Sequence, residues 1–421
     1  MGVNRIVLVD AEDNVVTIAP DGGSRRILTS SAHVFRFPAW SPDGQHIAAI
    51  GFSEEGATLF MLEDRERTAL RPIFSRANEV PLHLFWSPSG EHLSFITAHL
   101  SDEFEEEERK PFKLRLVDLR AREVRLLASG RPFFWDWSAD GQQLIIHGGM
   151  EGKDAFVHLL DPFDASRPRI RLVSKPGMFR APGFSRSGRY LAFGEVGNDG
   201  EMYLAVDDLQ EQTRTIIAHL GIAALSWSPT EDQLAYISPT EPLRLSYGPL
   251  RVVDMRTREL NLIADDLVLA FFWSPSGDRI AYFTLAKTKE AVLSELISDP
   301  TQLARAGGCR QVEAQEALTF DDAHLNLWVA DLQRETQHLI CTFAPTDTFA
   351  EEFLPFFDQF ALSHRLWSPD GQALVLPMMV RPAESAPQEE AQPWICVVPA
   401  DRRAGPPRPI TPGVIAFWSH Q

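Results

Sequence analysis

The chain has 421 residues and a formal net charge of −18, and 44% of its residues are hydrophobic and 23% charged. This composition is typical of a soluble globular protein, and the acidic balance disfavours binding to nucleic acid or to an anionic membrane surface. The sequence contains no run of about eighteen apolar residues that could span a bilayer.

Three predicted strands open the chain. The segments "RIVLVD", "NVVTIAP" and "RRILT" are short, rich in β-branched residues and separated by turn residues. The opening "MGVNRIVLVD" therefore predicts a strand rather than a signal peptide, which has a basic start followed by a longer apolar core. We accordingly expect a cytoplasmic protein.

One turn motif then recurs along the chain. In order, the copies are "WSPDGQHIAA" from Trp40, "WSPSGEHLSF" from Trp86, "WSADGQQLII" from Trp137, "FSRSGRYLAF" from Phe184, "WSPTEDQLAY" from Trp227, "WSPSGDRIAY" from Trp273, "WSPDGQALVL" from Trp367 and a short "WSHQ" from Trp418. Successive copies start 46, 51, 47, 43, 46, 94 and 51 residues apart. This period indicates a repeat architecture.

Each position of the motif has a physical role. In Ser-Pro-Asp-Gly, the proline presets φ for the second position of a type I turn, and the glycine accepts the left-handed conformation that follows. An apolar stretch precedes each turn, and alternating apolar residues such as Ile47 and Ala49 follow it, which predicts a β-hairpin. Glu231 replaces the glycine in one copy, so we expect an altered turn there.

A second hairpin follows most copies. Residues 114–128, 250–264 and 325–340 each show a strand, an Asp-led turn and a strand. Each repeat thus contains four antiparallel strands, named A to D from the inside outwards: A ends at the tryptophan, B follows the turn, and C and D form the second hairpin. Four-stranded units of about 45 residues that repeat radially are β-propeller blades.

These repeats resemble the WSPDG-type repeats of the TolB family, of tricorn-type proteases, and of the propeller domains of prolyl oligopeptidases and dipeptidyl peptidases. The resemblance covers almost the whole chain and implies an all-β propeller. It implies no particular activity, because one fold hosts many functions.

The repeats predict a single domain, 1–421, of eight four-stranded antiparallel blades. The N-terminal strands supply B, C and D of one blade, and "GVIAFWS" at the other end supplies its strand A, which closes the ring. Seven blades is the alternative, if the N-terminal strands pair differently. The complete units start at residues 40, 86, 137, 184, 227, 273 and 367.

Four long connections are predicted on one face. Residues 99–112, 286–323 and 380–394 join strand B to strand C, and 343–360 joins strand D to strand A. In a propeller, B–C and D–A connections lie on the same face, and long connections on a rigid scaffold often carry binding residues. Within the second insertion, apolar spacing over 289–305 predicts a short helix.

The last D–A connection contains the Phe-rich segment, "FAEEFLPFFDQF" (349–360). Three interpretations are open: the segment plugs the channel mouth, binds a hydrophobic partner, or packs beneath the predicted helix. In the second case, the partner-binding side chains are those of Phe349, Phe353, Phe356 and Phe357.

A set of basic side chains is predicted at the channel mouth, which the start of each strand A borders. Alignment of the repeats places Arg36, His83, Arg131, Arg180 and His364 there. Such a set would attract a carboxylate or phosphate ligand. The alternative is that these side chains pair with neighbouring acids or point to solvent.

Local motifs indicate no chemistry. The sequence has no G-x-S-x-G, Walker, dinucleotide or H-E-x-x-H motif, and Cys309, Cys341 and Cys396 are far apart. We therefore expect no cofactor and no metal, and a non-catalytic scaffold that binds a protein, a peptide or a small anionic ligand. The alternative is a channel-mouth enzyme of the propeller lactonase or lyase type, for which His83, His364 and the nearby acidic residues are the candidates.

Overall fold

The computed structural model describes residues 4–30, 33–99, 111–131, 133–149, 155–164, 171–172, 176–241, 246–286, 324–381 and 390–420. The chain divides into two compact units. The first comprises Met1–Phe133, Pro162–Pro168 and Ala361–Gln421, and the second comprises Phe134–Asp161 and Arg169–Phe360. The organisation as a single domain stays a prediction.

The N-terminal part of the first unit forms three antiparallel sheets. Sheet 1 contains β1 (Ile6–Val9), β2 (Val15–Ile18) and β3 (Arg26–Ile27). Sheet 2 contains β4 (Val34–Trp40), β5 (His46–Ser53), β6 (Gly56–Glu63) and β7 (Arg71–Ser75). Sheet 3 contains β8 (Glu79–Trp86), β9 (His92–His99), β10 (Phe112–Asp118) and β11 (Glu123–Gly130).

The second unit contains the next three sheets, apart from Phe133, the first residue of β12. Sheet 4 contains β12 (Phe133–Trp137), β13 (Leu144–Gly148), β14 (Phe156–Leu160) and β15 (Arg171–Leu172), and sheet 5 contains β16 (Gly183–Phe184), β17 (Tyr190–Val196), β18 (Met202–Asp208) and β19 (Thr213–Ala218). Sheet 6 has seven strands: β20 (Ala224–Trp227), β21 (Gln233–Ile237), β22 (Gly248–Asp254), β23 (Leu260–Trp273), β24 (Arg279–Leu285), β25 (Leu325–Asp331) and β26 (Thr336–Phe343). The long β23 is strand D of one repeat and strand A of the next.

The C-terminal part returns to the first unit. Sheet 7 contains β27 (Ala373–Val380), β28 (Gln392–Pro399) and β29 (Arg408–Pro412), and β30 (Ile415–Trp418) joins sheet 1. Ile6 pairs with Trp418 and Val9 with Ile415, which confirms the predicted pairing of the C-terminal strand with the N-terminal strands. With sheet 6 counted as two repeats, the sheets correspond to the eight predicted blades, and eight blades in one ring stays a prediction.

Helical structure among the described residues is short. A π-helical turn (Thr348–Phe353), a 3-10 turn (Leu354–Phe356) and one α-helical turn (Phe357–Phe360) follow one another, and a 3-10 turn lies at Arg402–Ala404. None of the described helices is long and apolar enough to cross a membrane. The helix predicted over 289–305 lies outside the described residues.

Burial falls from strand A to strand D within a sheet. All residues of β12 and β30 are buried, whereas β19 and β26, which are D strands, expose many of their side chains. The apolar faces of neighbouring sheets form the core, and one large cluster joins sheets 4, 5 and 6. Strand A is therefore the inner strand and strand D the outer edge, as the repeat pattern predicts.

The recurring motif forms the predicted turn. Gly44 has φ +68° and its amide donates to Ser41 O at 2.9 Å, while the amide of His46 donates to Ser41 Oγ. Where Glu231 replaces glycine, its amide donates to the hydroxyl of Ser228 at 3.3 Å. The turn is altered there, as expected, because a side chain disfavours the left-handed conformation.

The motif tryptophan has a second role that the sequence pattern did not reveal. The indole of Trp227 donates to Gly183 O at 3.0 Å, and the indole of Trp273 donates to Ser226 O at 3.1 Å. Each acceptor directly precedes the first residue of the previous motif copy. The first bond joins sheets 5 and 6, and the second joins two repeats within sheet 6, so the tryptophan fixes one repeat against the next.

Candidate functional site at the inner-strand ends

Two of the predicted basic residues meet in the first unit. His83 on β8 and His364 are both buried, and their ring centroids are 6.0 Å apart. His364 Nε2 donates to Phe37 O at 3.2 Å, and Nδ1 accepts from the hydroxyl of Ser363 at 2.7 Å. Burial lowers the pKa of His364 to about 4 and holds the pKa of His83 well below its usual value. Both rings are therefore neutral at pH 7.

The backbone beside this histidine pair is strained. Phe37 has φ +43°, which is rare for a bulky side chain, and β4 has an irregular register between Arg36 and Ala39. In this conformation, the carbonyl oxygen of Phe37 accepts the hydrogen bond from His364 Nε2. The strain thus positions a backbone oxygen at the inner-strand end, where such outliers often accompany function.

Two predicted arginines of the first unit have partners at the surface. The half-exposed Arg36 donates from Nη1 to Asp13 Oδ1 at 2.9 Å. The guanidinium carbon of Arg131 lies 4.7 Å from the centroid of the Phe112 ring, which is a cation–π distance. A ligand role for these side chains stays a prediction, and an anionic ligand would compete with Asp13 for Arg36.

Arg180, in the second unit, is buried and engaged by the chain itself. Its guanidinium donates to Pro355 O and to the hydroxyl of Ser246, and Nη1 lies 3.6 Å from Asp358 Oδ1. Burial raises the pKa of Asp358, and the neighbouring Arg180 only partly offsets this effect. Of the five basic residues predicted at the channel mouth, the structure brings His83 and His364 into contact.

The apolar side of the Phe-rich segment is packed. Phe349, Phe353 and Phe357 have no exposed surface. Phe353 stacks on Phe272 of β23 at a centroid distance of 5.9 Å. Phe357 meets Phe271 edge-on at 5.1 Å. The segment therefore packs against the strand A portion of sheet 6, and its helical turns are too irregular to stabilise themselves.

Polar side chains fix the segment to two further inner strands. The Gln359 side chain accepts from Trp135 N at 3.0 Å and donates to Trp135 O at 2.9 Å. The carboxylate of Asp358 accepts from Ala181 N at 3.2 Å. The Phe-rich segment therefore satisfies backbone groups at the inner ends of sheets 4 and 5, and it covers the inner-strand ends of three sheets in the second unit.

The energetic balance favours this packed state. Burial of a phenylalanine side chain contributes about 1.5–3 kcal/mol, so Phe349, Phe353, Phe357 and Phe360 together contribute about 6–12 kcal/mol. The structure thus gives Phe349, Phe353 and Phe357 a packing role, and their binding of a partner stays a prediction. Phe356 differs from these three, because part of its side chain reaches the surface.

Asp136 is a buried carboxyl that the local motifs did not reveal. It lies on β12 and accepts from Phe184 N at 2.9 Å, and burial raises its pKa to about 7. The aligned repeats contain the signal, because the residue before the motif in the other copies is Ala39, Phe85, Gly183, Ser226, Phe272, Leu366 or Phe417. Asp136 replaces small or apolar residues at an inner-strand position.

Metal binding has no candidate group in the part of the chain that the structure describes. No three His, Cys, Asp or Glu side chains among those residues are placed to hold one ion.

The comparisons with known proteins give the fold. No protein-family model and no curated protein matches the chain. The solved structure of dihydro-heme d1 dehydrogenase is 14% identical over 98% of this chain and 75% of that one, with a TM-score of 0.51. Oligogalacturonate lyase with manganese is 12% identical over 98% and 86%, with a TM-score of 0.45. TolB from Acinetobacter baumannii is 17% identical over 61% and 62%, with a TM-score of 0.38, so the match spans less than two thirds of that TolB.

The chain is thus an all-β propeller protein, which confirms the predicted fold class, and TolB structures are among those that it matches. At these identities the likeness extends to the fold and not to an activity.

Proposed function

We propose that this protein is a non-catalytic binding scaffold, and that a protein or peptide partner binds on the face of the B–C and D–A connections. One observation carries the proposal: the Phe-rich segment covers the inner-strand ends of the second unit with the chain's own residues. Arg180, which the sequence suggested for a small anionic ligand, holds that segment through Pro355 and Ser246.

A catalytic site needs side chains that can reach a substrate. At the covered ends, the backbone groups of Trp135 and Ala181 already bond to Gln359 and Asp358. In the first unit, both ring nitrogens of His364 have protein partners. These internal bonds favour recognition by the outer surface over chemistry in a cleft.

The outer surface of the Phe-rich segment offers mixed chemistry. Glu351 is exposed and Phe356 is half-buried. Aromatic side chains in contact with a partner often supply much of the binding energy, and the net charge of −18 favours a basic partner through long-range attraction. We therefore propose a partner that presents apolar and basic side chains to this surface.

Quantitative affinity purification with the full chain tests the proposal. Phe356→Ser should lose the partners that the wild type enriches, and deletion of 286–323 should reduce them as well. Leu126→Ser is the matched control, because Leu126 is an exposed apolar side chain on the outer strand β11. Loss at Phe356 with retention at Leu126, in variants of unchanged melting temperature, supports the proposal. Identical partner sets for wild type and Phe356→Ser would overturn it.

A further inference from the structure

The outer edge of β23 differs from the other D strands. Strand D of sheet 2 begins with Arg71 and Pro72, and strand D of sheet 7, "RPITP", contains two prolines. Such residues protect a sheet edge against pairing with another chain. On β23, Leu260 and Leu262 are 53% and 56% exposed with only Asn261 between them.

Other D strands expose single apolar side chains beside an arginine. Leu126 on β11 follows Arg125, and Ile216 on β19 follows Arg214 after one residue. Two exposed leucines on one face of one strand therefore distinguish β23 from these edges.

The hydrogen-bond pattern directs the amides of these leucines outwards. Asp254 N donates to Glu259 O at 3.0 Å, and Asn261 is paired with Val252 of β22. Because bonded and non-bonded residues alternate in an antiparallel pair, the backbone groups of Leu260 and Leu262 face the open edge. Within the described ranges, β24 pairs with β23 only from Val268 onwards, which leaves these groups available to another strand.

The edge is complementary to itself. Antiparallel pairing centred on Asn261 places Leu260 opposite Leu262 of a second copy, so that four leucines form one apolar cluster. Apolar side chains in directly opposed positions stabilise a pair of strands.

We propose that two copies of this chain associate through β23, edge to edge and antiparallel. This surface lies at the opposite end of β23 from Phe271 and Phe272, which the Phe-rich segment contacts. The association therefore goes beyond the proposed scaffold function, and each can fail without the other.

The expected dimer is weak. An edge of about five residues from each copy buries less than the 1,200 Å² that marks the lower bound of standard interfaces, and the charge of −18 on each copy opposes association. We expect a reversible dimer with a dissociation constant of about 10–100 µM.

Analytical ultracentrifugation of the full chain over a concentration series measures this equilibrium. The wild type should dimerise reversibly, and Leu262→Lys should raise the dissociation constant at least about tenfold, because it places lysines within the leucine cluster. Leu126→Lys is the matched control and should leave the equilibrium unchanged. A wild type that stays monomeric to about ten times the expected constant overturns the proposal, as does an equal effect of the two variants.

A disulfide tests the register. In the proposed pairing, Asn261 lies directly opposite Asn261 of the second copy as a non-bonded pair, for which the Cα separation of about 4.5 Å permits a disulfide. Oxidised Asn261→Cys should therefore give a reducible dimer. His338→Cys, on the exposed strand β26, should give no more dimer than wild type. Equal yields for the two variants would contradict the register.

Discussion

Replacement of Arg180 by methionine tests whether this arginine holds the Phe-rich segment or serves a ligand. The change removes the donors to Pro355 O and Ser246 Oγ and leaves the Asp358 carboxyl buried without its cation. Breaking a buried pair from one side costs about 3–5 kcal/mol. We therefore expect the free energy of unfolding of Arg180→Met to fall by that amount at pH 7.

The part of this cost that comes from Asp358 has an upper bound in the chemistry of its carboxyl group. A buried carboxyl that has lost its partner can take up a proton, and protonation at pH 7 of a group with an unfolded pKa of 3.8 costs about 4 kcal/mol. The cost shrinks as the pH approaches the unfolded pKa, to about 2 kcal/mol at pH 5. The destabilisation of Arg180→Met should therefore decrease in acid.

Urea denaturation at pH 5 and pH 7 measures this effect, and hydrogen exchange of the 349–360 amides locates it. Asp358→Asn and the double variant complete a double-mutant cycle, for which we expect a coupling of about 1–3 kcal/mol. Unchanged stability and exchange in Arg180→Met, with loss of binding to an anionic ligand, would refute the structural role of Arg180.

Three further predictions concern two sets of buried titratable groups and one hydrogen bond between repeats. Folding raises the pKa of Asp136 from 3.8 to about 7, so burial of its charged form destabilises the fold more strongly as the pH rises. The free energy of unfolding of Asp136→Asn should therefore rise by about 3 kcal/mol relative to that of the wild type between pH 5 and pH 8, in denaturant titrations. Folding lowers the pKa of three histidines, His147, His219 and His364, to about 4, so the unfolded chain takes up these protons first as the pH drops. The free energy of unfolding should therefore fall by about 3 kcal/mol for each ring between pH 6.5 and pH 4, in a pH series of melting curves. Trp273→Phe should cost about 1–2 kcal/mol by the same denaturation assay, because Ser226 O loses its indole donor.

The repeat pattern predicted the sheets because its signals are local. Proline and glycine fix the A–B turn, alternation fixes the strands, and an aspartate such as Asp118 accepts from the amides of Arg120 and Ala121 to form the C–D turn. The pairing of β1 with β30 followed from counting strands, because the first repeat has strands B, C and D without strand A, and β30 is a strand A without the other three.

The candidate site was less predictable, because it depends on contacts between distant segments. Alignment placed Arg180 at an inner-strand end, but nothing near it in sequence indicates that Pro355 O and Ser246 Oγ accept hydrogen bonds from its guanidinium. Gln359 lies 224 positions from Trp135, to which it bonds. For the Phe-rich segment, composition indicated burial or binding, and only the three-dimensional packing separates Phe353 from Phe356.

Site-specific photocrosslinking in living cells tests the scaffold proposal most directly. A photoreactive side chain at Phe356 should give discrete, reproducible adducts with another protein, and the same group at Gln45, in the A–B turn of sheet 2, should give none. Absence of adducts at Phe356, or the same adducts at both positions, would contradict a partner-binding surface on the Phe-rich segment.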